Sequence, residues 1–216
     1  MGQRAVSSNL RAVFKQLNDD VIALSWRWQI VSSLFESKER VELLRQTAPS
    51  FFGVCQITFL DDVFLALSRL TDPVQSSGQH NLVVDCLLDA IEQTTNPEIH
   101  KKEVRRLIKS AKESCLPLRE HRNKRLAHND LSIKLRFASE PLPGISVGDV
   151  NRAVKSLQSV MNAVSRHFFD SETTFKVVER GGVRTLITYL QKGVDAFERE
   201  ATDAGGQGAH SSDRVG

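Results

Sequence analysis

A heptad-spaced series of apolar residues near the start of the chain constrains the fold more than any other feature. Its members are Leu10, Phe14, Leu17, Val21, Leu24, Trp28, Val31 and Phe35, alternately four and three residues apart. This spacing places all of them on one side of an α-helix that packs against other helices at a shallow angle. We therefore predict a helix over residues 8–35 and an all-α fold, a helical bundle.

Capping residues and apolar periodicity predict further helices along the chain. The predicted ranges are 37–46, 51–70, 84–91, 97–116, 118–127, 149–168 and 183–200. Ser146 and Asp149 form a capping box before the sixth of these. Pro117 separates the fourth from the fifth, because proline lacks a backbone donor and clashes with the preceding turn. Helix 51–70 is apolar on nearly every side, so we predict that it lies at the centre of the bundle.

Three segments are not predicted to be helical. Apolar residues alternate with polar ones over 131–137, which is typical of a strand and predicts a small ribbon pairing with residues 174–178. Residues 74–81 are predicted to form a polar loop. The Gly- and Ser-rich residues 201–216 are predicted to be a disordered tail after a single helical domain, 1–200.

Positive charge is concentrated in one segment. Residues 96–128 hold ten Lys or Arg and four acidic residues, a net charge of +6 in a chain whose total is +3. Cations collected on one part of a protein indicate a polyanionic partner, which we expect to be a nucleic acid. A solvated helix face is the alternative interpretation.

Several classes of protein are not indicated. Three scattered cysteines without C-x-x-C spacing favour buried thiols over disulfides or a zinc site. No H-E-x-x-H, EF-hand, Walker or Rossmann motif is present, so neither a metal nor a cofactor is predicted. Polar residues interrupt the most apolar segment, and the first residues do not resemble a signal peptide. We therefore predict a cytoplasmic protein without membrane contact.

The segment 121–130, HRNKRLAHND, carries the residues suited to chemistry on RNA. Cleavage by an adjacent 2′-hydroxyl needs proton carriers, and histidine titrates near neutrality. It also needs a cation for the charge that develops on phosphorus, and a guanidinium offers paired donors. We therefore predict His128 as general base or acid, Arg122 as the transition-state clamp and Asn123 as an orienting amide. Lys124 and Arg125 would bind flanking phosphates.

Arg122-Asn123 followed by His128 resembles the R-x(4–6)-H signature of the HEPN superfamily of helical ribonucleases and nucleotide-binding proteins. Together with DDVFLALSRLTDP at residues 61–73, it resembles the abortive-infection (Abi-U2-like) branch. The resemblance implies a metal-independent endoribonuclease of a phage-defence or toxin type. It also implies a homodimer whose two motifs share one cleft, and an antitoxin or another defence protein as partner.

The same two strings supply the remaining candidate residues. Arg119 and His121 are further candidates for RNA binding. Asp62, Arg69, Asp72 and Asp130 are candidates for supporting the site. Asp62 and Arg69 are seven residues apart on one helix face, so a surface ion pair between them is the simpler interpretation. Asp130 stands where toxins of this superfamily paired with a nucleotidyltransferase carry Tyr, so regulation by adenylylation there is not predicted.

Helix geometry separates the two main catalytic candidates. Six helical residues put Arg122 and His128 about 9 Å apart along the axis and roughly 120° apart around it. Either the helix ends near Ala127 and His128 turns back, or a second copy supplies the partner. His128 as a cation at a helix C-terminus is the alternative without catalysis. A non-catalytic RNA- or nucleotide-binding dimer and a protein-interaction module with a basic helix also remain open.

Overall fold

The structure, a computed structural model, describes residues 7–76, 78–94, 97–123, 144–176 and 182–208. In this part of the chain the helices are α1 (Ser8–Leu34), α2 (Lys38–Thr47), α3 (Pro49–Thr71), α4 (Cys86–Glu92), α5 (Pro97–Arg122), α6 (Val147–Phe169) and α7 (Val183–Gly208). The strands described are β1 (Gln75–Ser76) and β2 (Gln79–His80). The prediction of an all-α fold is confirmed.

The chain divides into two compact units. The first consists of residues 1–29 and 59–177, and the second of residues 30–58 and 178–216. In the first unit α5 packs against α4 and α6, and in the second α2 packs against α7. Buried residues of the second unit include Leu34, Leu43, Leu44, Phe52 and Val183.

The heptad series of α1 is buried as its spacing predicts. Leu10, Leu17, Val21, Leu24, Trp28 and Val31 are buried, whereas Phe14 and Phe35 are half-buried. Phe14 stacks on Phe169 at 4.6 Å between ring centroids. Trp28 donates a hydrogen bond from Nε1 to Asn151 Oδ1 at 2.7 Å, which satisfies the indole donor at the edge of the core.

The second half of α3 is largely buried, whereas the first half is mostly exposed apart from Phe52, so the prediction is wrong for the first half. Val63, Phe64 and Leu67 are buried, but Phe51 and Val54 are each 63% exposed. A helix that is apolar all round carries no periodicity that tells which side faces the core. By length and composition alone, α3 is also the one described helix that could cross a membrane, with 22% of its most apolar window buried.

Helix α5 is continuous through Pro117, so the prediction of a separate helix over 118–127 is wrong at its start. A proline inside a helix removes the hydrogen bond to the carbonyl four residues earlier, here that of Glu113. Both Pro117 and Glu113 are exposed, so water can satisfy that carbonyl. Residues of the motif up to Arg122 therefore belong to the same helix as the basic segment.

Strand and tail predictions need two corrections. Residues 174–176 are not in a strand, and 131–137 lie outside the described residues. The described ribbon instead lies within the predicted loop 74–81, where Gly78, at φ +77°, allows β1 to pair with β2. Helix α7 continues to Gly208, into the predicted tail, and residues 209–216 lie outside the described part. The predicted capping box of Ser146 and Asp149 is confirmed.

Candidate active site

The last turns of α5 carry the first residues of the candidate site. One side of this helix is buried against α6 and α4 through Val104, Ile108, Ala111, Cys115 and Leu118. Ser114 and Ser156 share a hydrogen bond of 2.8 Å between their hydroxyl oxygens, which ties α5 to α6. This packing fixes the direction in which the final turn, with Arg119 and Arg122, leaves the core.

A single carboxylate pairs with both arginines of that turn. Asp72 Oδ1 lies 3.4 Å from Arg119 Nε and 3.4 Å from Arg122 Nη2. The three side chains are only 19–23% exposed, so water screens these ion pairs less than it screens pairs at the surface. Arg119 also donates from Nη2 to the backbone carbonyl of Thr71 and, at 3.0 Å, to its hydroxyl.

These contacts join the two strings on which the family resemblance depends. Asp72 directly follows the last residue of α3, and both arginines lie at the end of α5. Two guanidinium groups against one carboxylate leave a net charge of +1 in a half-buried position. Such a cluster can donate hydrogen bonds to a phosphate oxygen without first losing its orientation. The Asp72–Arg119–Arg122 cluster therefore presents Arg122 as a fixed cation.

The structure places the other candidates differently. His121 is half-buried and meets the ring of Phe64 edge-on, 5.4 Å between centroids. Asn123 directly follows α5 and is half-buried. Lys124, Arg125, His128 and Asp130 lie outside the described residues.

The predicted surface pair of Asp62 with Arg69 is not formed. Asp62 instead pairs with Arg27 of α1, at 3.3 Å between Oδ2 and Nη1, and Arg69 is exposed. Seven helical residues rise about 10.5 Å, which is too far for a direct ion pair, whereas a neighbouring helix can approach more closely. Neither residue belongs to the Asp72–Arg119–Arg122 cluster. Within the described ranges, no three His, Cys, Asp or Glu side chains are grouped to hold a metal ion.

A comparison with protein-family models identifies the family. The HEPN model described as AbiU2 matches residues 7–185, which include the whole Asp72–Arg119–Arg122 cluster. The chain belongs to the HEPN AbiU2 family. Comparisons with curated proteins and with solved structures find no match.

One feature of this HEPN site was not evident from the sequence. The sequence predicts that Arg119 binds RNA, whereas in the structure its guanidinium contacts Thr71 and Asp72. The spacing of Arg119 and Arg122 did contain a signal, because residues three apart share a helix face. What the sequence lacked was the approach of the end of α3 to the last turns of α5, which brings Asp72 to that face.

Cys115 lies in the core side of α5, one turn before Arg119, and is expected to be unreactive. Burial raises the pKa of its thiol to about 11, against smaller opposing effects of hydrogen bonds with Thr71 and Ser114. At pH 8 about 0.1% of such a thiol is ionised, and the thiolate is the nucleophile. We expect iodoacetamide to modify Cys115 of the folded protein much more slowly than Cys55 or Cys86, as measured by mass spectrometry of peptides.

Urea-unfolded protein is the control, in which all three thiols should react at similar rates. The pKa of the Cys115 thiol is higher in the folded than in the unfolded protein. The thiol therefore does not change the free energy of unfolding below the unfolded pKa, and it lowers that free energy as the pH rises from there toward 11. Equal labelling of Cys115 and Cys86 in the folded protein would contradict the burial of Cys115.

Proposed function

We propose that this HEPN protein is a metal-independent endoribonuclease of a phage-defence or toxin type. The observation that supports this proposal best is the Asp72–Arg119–Arg122 cluster, in which Asp72 orients the guanidinium of Arg122. Arg122 precedes His128 by six residues, and the chain belongs to a HEPN family. RNA is its substrate, and the cytoplasm is where it acts. An antitoxin or another defence protein would control it.

In the proposed reaction, the 2′-oxygen of one nucleotide attacks the adjacent phosphorus and the bond from phosphorus to the 5′-oxygen breaks. One imidazole takes the proton of the 2′-hydroxyl, and a second gives a proton to the leaving oxygen. The products are a 2′,3′-cyclic phosphate and a 5′-hydroxyl. Arg122 binds the non-bridging oxygens, on which negative charge accumulates.

A homodimer supplies the second imidazole in this proposal. We base the dimer on the spacing of Arg122 and His128, because a helix continuous over both residues would not aim both side chains of one copy at the same phosphate. The first half of α3 offers apolar surface to a second copy, because Phe51, Val54 and Ile57 are 52–63% exposed. No charged residue occurs from Pro49 to Leu60, so pairing of two such faces would bury no unpaired charge.

Digestion of RNA in the presence of a chelator tests the proposed function. We expect the purified protein to cleave total RNA in EDTA and to leave cyclic phosphate ends, as detected by end-group mapping. His128→Ala is expected to lower the cleavage rate by at least about 100-fold, because it removes a proton carrier. Cleavage that persists in His128→Ala, or products with 3′-hydroxyl ends, would reject this mechanism.

A non-catalytic RNA-binding dimer is the second candidate, favoured by the outer face of α5. Lys102, Arg105, Arg106 and Lys109 are all exposed on this helix, where they can bind phosphates without contributing to cleavage. This candidate predicts salt-dependent RNA binding of equal strength in the wild type and in His128→Ala, with no cleavage products.

A further inference from the structure

A cavity on the outer side of α5 lies next to the Asp72–Arg119–Arg122 cluster. Its volume is about 300 Å³, and its lining includes Arg105, Lys109, Lys112 and Arg119 on one stripe of α5. The apolar part of the lining consists of Leu88, Ile108 and Leu116. Two carboxylates, Asp85 and Glu113, complete it.

The cavity combines an apolar floor with a cationic rim. Ile108 is buried, Leu88 is half-buried and Leu116 is 48% exposed, so an aliphatic surface is open to a ligand. A nucleotide matches this arrangement, because its base has apolar faces and its phosphate carries negative charge. Arginine planes can also stack on a base, which lysine cannot do.

The charges of the rim are not equally available. Lys112 Nζ is 2.6 Å from Asp85 Oδ2, and Lys109 Nζ is 3.9 Å from Glu113 Oε1. Arg105 is exposed and has no ion pair or hydrogen bond with the described residues. Arg105 is therefore the rim residue best able to bind a phosphate.

Arg119 connects the cavity to the candidate active site. Its side chain lines the cavity and also pairs with Asp72, which pairs with Arg122. From Arg105 to Arg119 the stripe rises about 21 Å along the helix. Arg122 lies one turn beyond Arg119 and about 60° around the helix from it, so a strand whose phosphate is held at Arg122 can pass Arg119 and place a nearby base in the cavity.

We propose that this cavity is a subsite for one nucleotide of the RNA strand, adjacent to the phosphodiester held at Arg122. The base lies against Leu88 and Leu116, and Arg105 binds a phosphate of the same strand. The identification of RNA as the ligand rests on the proposed function. The subsite would give the enzyme affinity for unpaired RNA, whose bases are free to enter the cavity.

Equilibrium binding to the full-length His128→Ala protein tests the subsite separately from cleavage. The probe is a fluorescein-labelled single-stranded oligoribonucleotide, and binding is measured by anisotropy over a series of salt concentrations. Leu116→Ser and Arg105→Ala are made in this background. Both residues are exposed, so the variants are expected to fold, and circular dichroism checks that they do.

The two variants should differ in their response to salt. Leu116→Ser is expected to weaken binding about fivefold to tenfold without changing the salt dependence, because it removes an apolar contact with a base. Arg105→Ala is expected to weaken binding and to lower the salt slope by about 0.7, the value for one phosphate of a single strand. Leu82→Ser is the matched control, since Leu82 is 42% exposed, and Arg184→Ala controls for lost charge.

Competition experiments distinguish the ligands that a cationic cavity could take. A uridine monophosphate should displace the probe from the wild-type cavity better than inorganic phosphate and should lose this advantage in Leu116→Ser. Equal binding by Leu116→Ser and Leu82→Ser would overturn the subsite, as would equal competition by phosphate. Displacement by polyglutamate as effective as by the nucleotide would also overturn it, in favour of an acidic protein partner.

The outcomes separate the subsite from the proposed function. Binding that depends on Leu116 and Arg105, in a protein whose wild type cleaves no RNA, would retain the subsite and reject the nuclease. Cleavage by the wild type, together with binding that neither substitution affects, would retain the nuclease and reject the subsite.

Discussion

Replacing Arg122 with lysine is expected to lower the rate of RNA cleavage about 100- to 1,000-fold, nearly as much as Arg122→Ala. Loss of one well-placed donor to a developing oxyanion has an effect of about this size. Lysine keeps the positive charge but offers a single ammonium group, whereas arginine offers a planar fork of donors. In the structure Nη2 of Arg122 is directed to Asp72 and Nε is buried, so Nη1 is the guanidinium nitrogen left for a phosphate oxygen.

Single-turnover kinetics with a defined oligoribonucleotide measure this effect. Arg184→Lys is the matched control, because Arg184 is exposed on α7 and should tolerate the change. Denaturation in urea checks that Arg122→Lys is folded at the assay temperature. If Arg122→Lys retained more than about a third of the wild-type rate, a point charge would suffice and the fork geometry would not matter.

Much of the fold could be predicted from periodicity and capping because both are local properties. The heptad series of α1 predicted its buried face, and the pattern Ser146 to Asp149 predicted the start of α6. Periodicity was less useful for a helix that has no polar side to contrast with an apolar one. The mostly exposed first half of α3 has no charged residue and is thus more apolar than the largely buried second half, so composition does not tell which part is buried.

The candidate site was predictable in its residues but not in its contacts. Arg122 and Asp72 lie in the two strings that carry the HEPN resemblance, yet they are fifty positions apart. Their pairing depends on how the ends of α3 and α5 come together, which no spacing within either helix specifies. The continuity of α5 through Pro117 likewise depends on the surroundings of the helix. The free-energy cost of a proline inside a helix is smaller where the carbonyl that loses its hydrogen bond is exposed to water.

Asp72→Asn is the second substitution from which we expect a large effect, and it tests whether the carboxylate orients Arg122. Asparagine has nearly the same shape but no charge, so two neighbouring guanidinium groups would lose their shared counter-ion. Exposed ion pairs contribute about 0–1 kcal/mol, and breaking a fully buried one costs about 3–5 kcal/mol. These side chains are about one-fifth exposed, so we expect the free energy of unfolding to fall by about 2 kcal/mol.

The same substitution should separate binding from catalysis. Net charge near the phosphate rises by one, so KM is expected to stay constant or fall, whereas kcat is expected to fall about 10- to 100-fold as Arg122 loses its orientation. Asp19→Asn, which breaks an exposed pair with Lys15, is the control and should change neither quantity measurably. An increase in kcat for Asp72→Asn would mean that the carboxylate restrains Arg122 from the phosphate instead of positioning it.

A double-mutant cycle assigns the stability effect to the pair itself. Asp72→Asn and Arg122→Ala should each destabilise the protein, and the combined variant should be more stable than the two single effects predict, by about 1 kcal/mol. Such coupling arises because Arg122→Ala removes one of the two cations that Asp72→Asn leaves without a counter-ion. Strict additivity in urea denaturation would mean that the 3.4 Å contact contributes nothing, and that Arg122 is held by the packing of α5 alone.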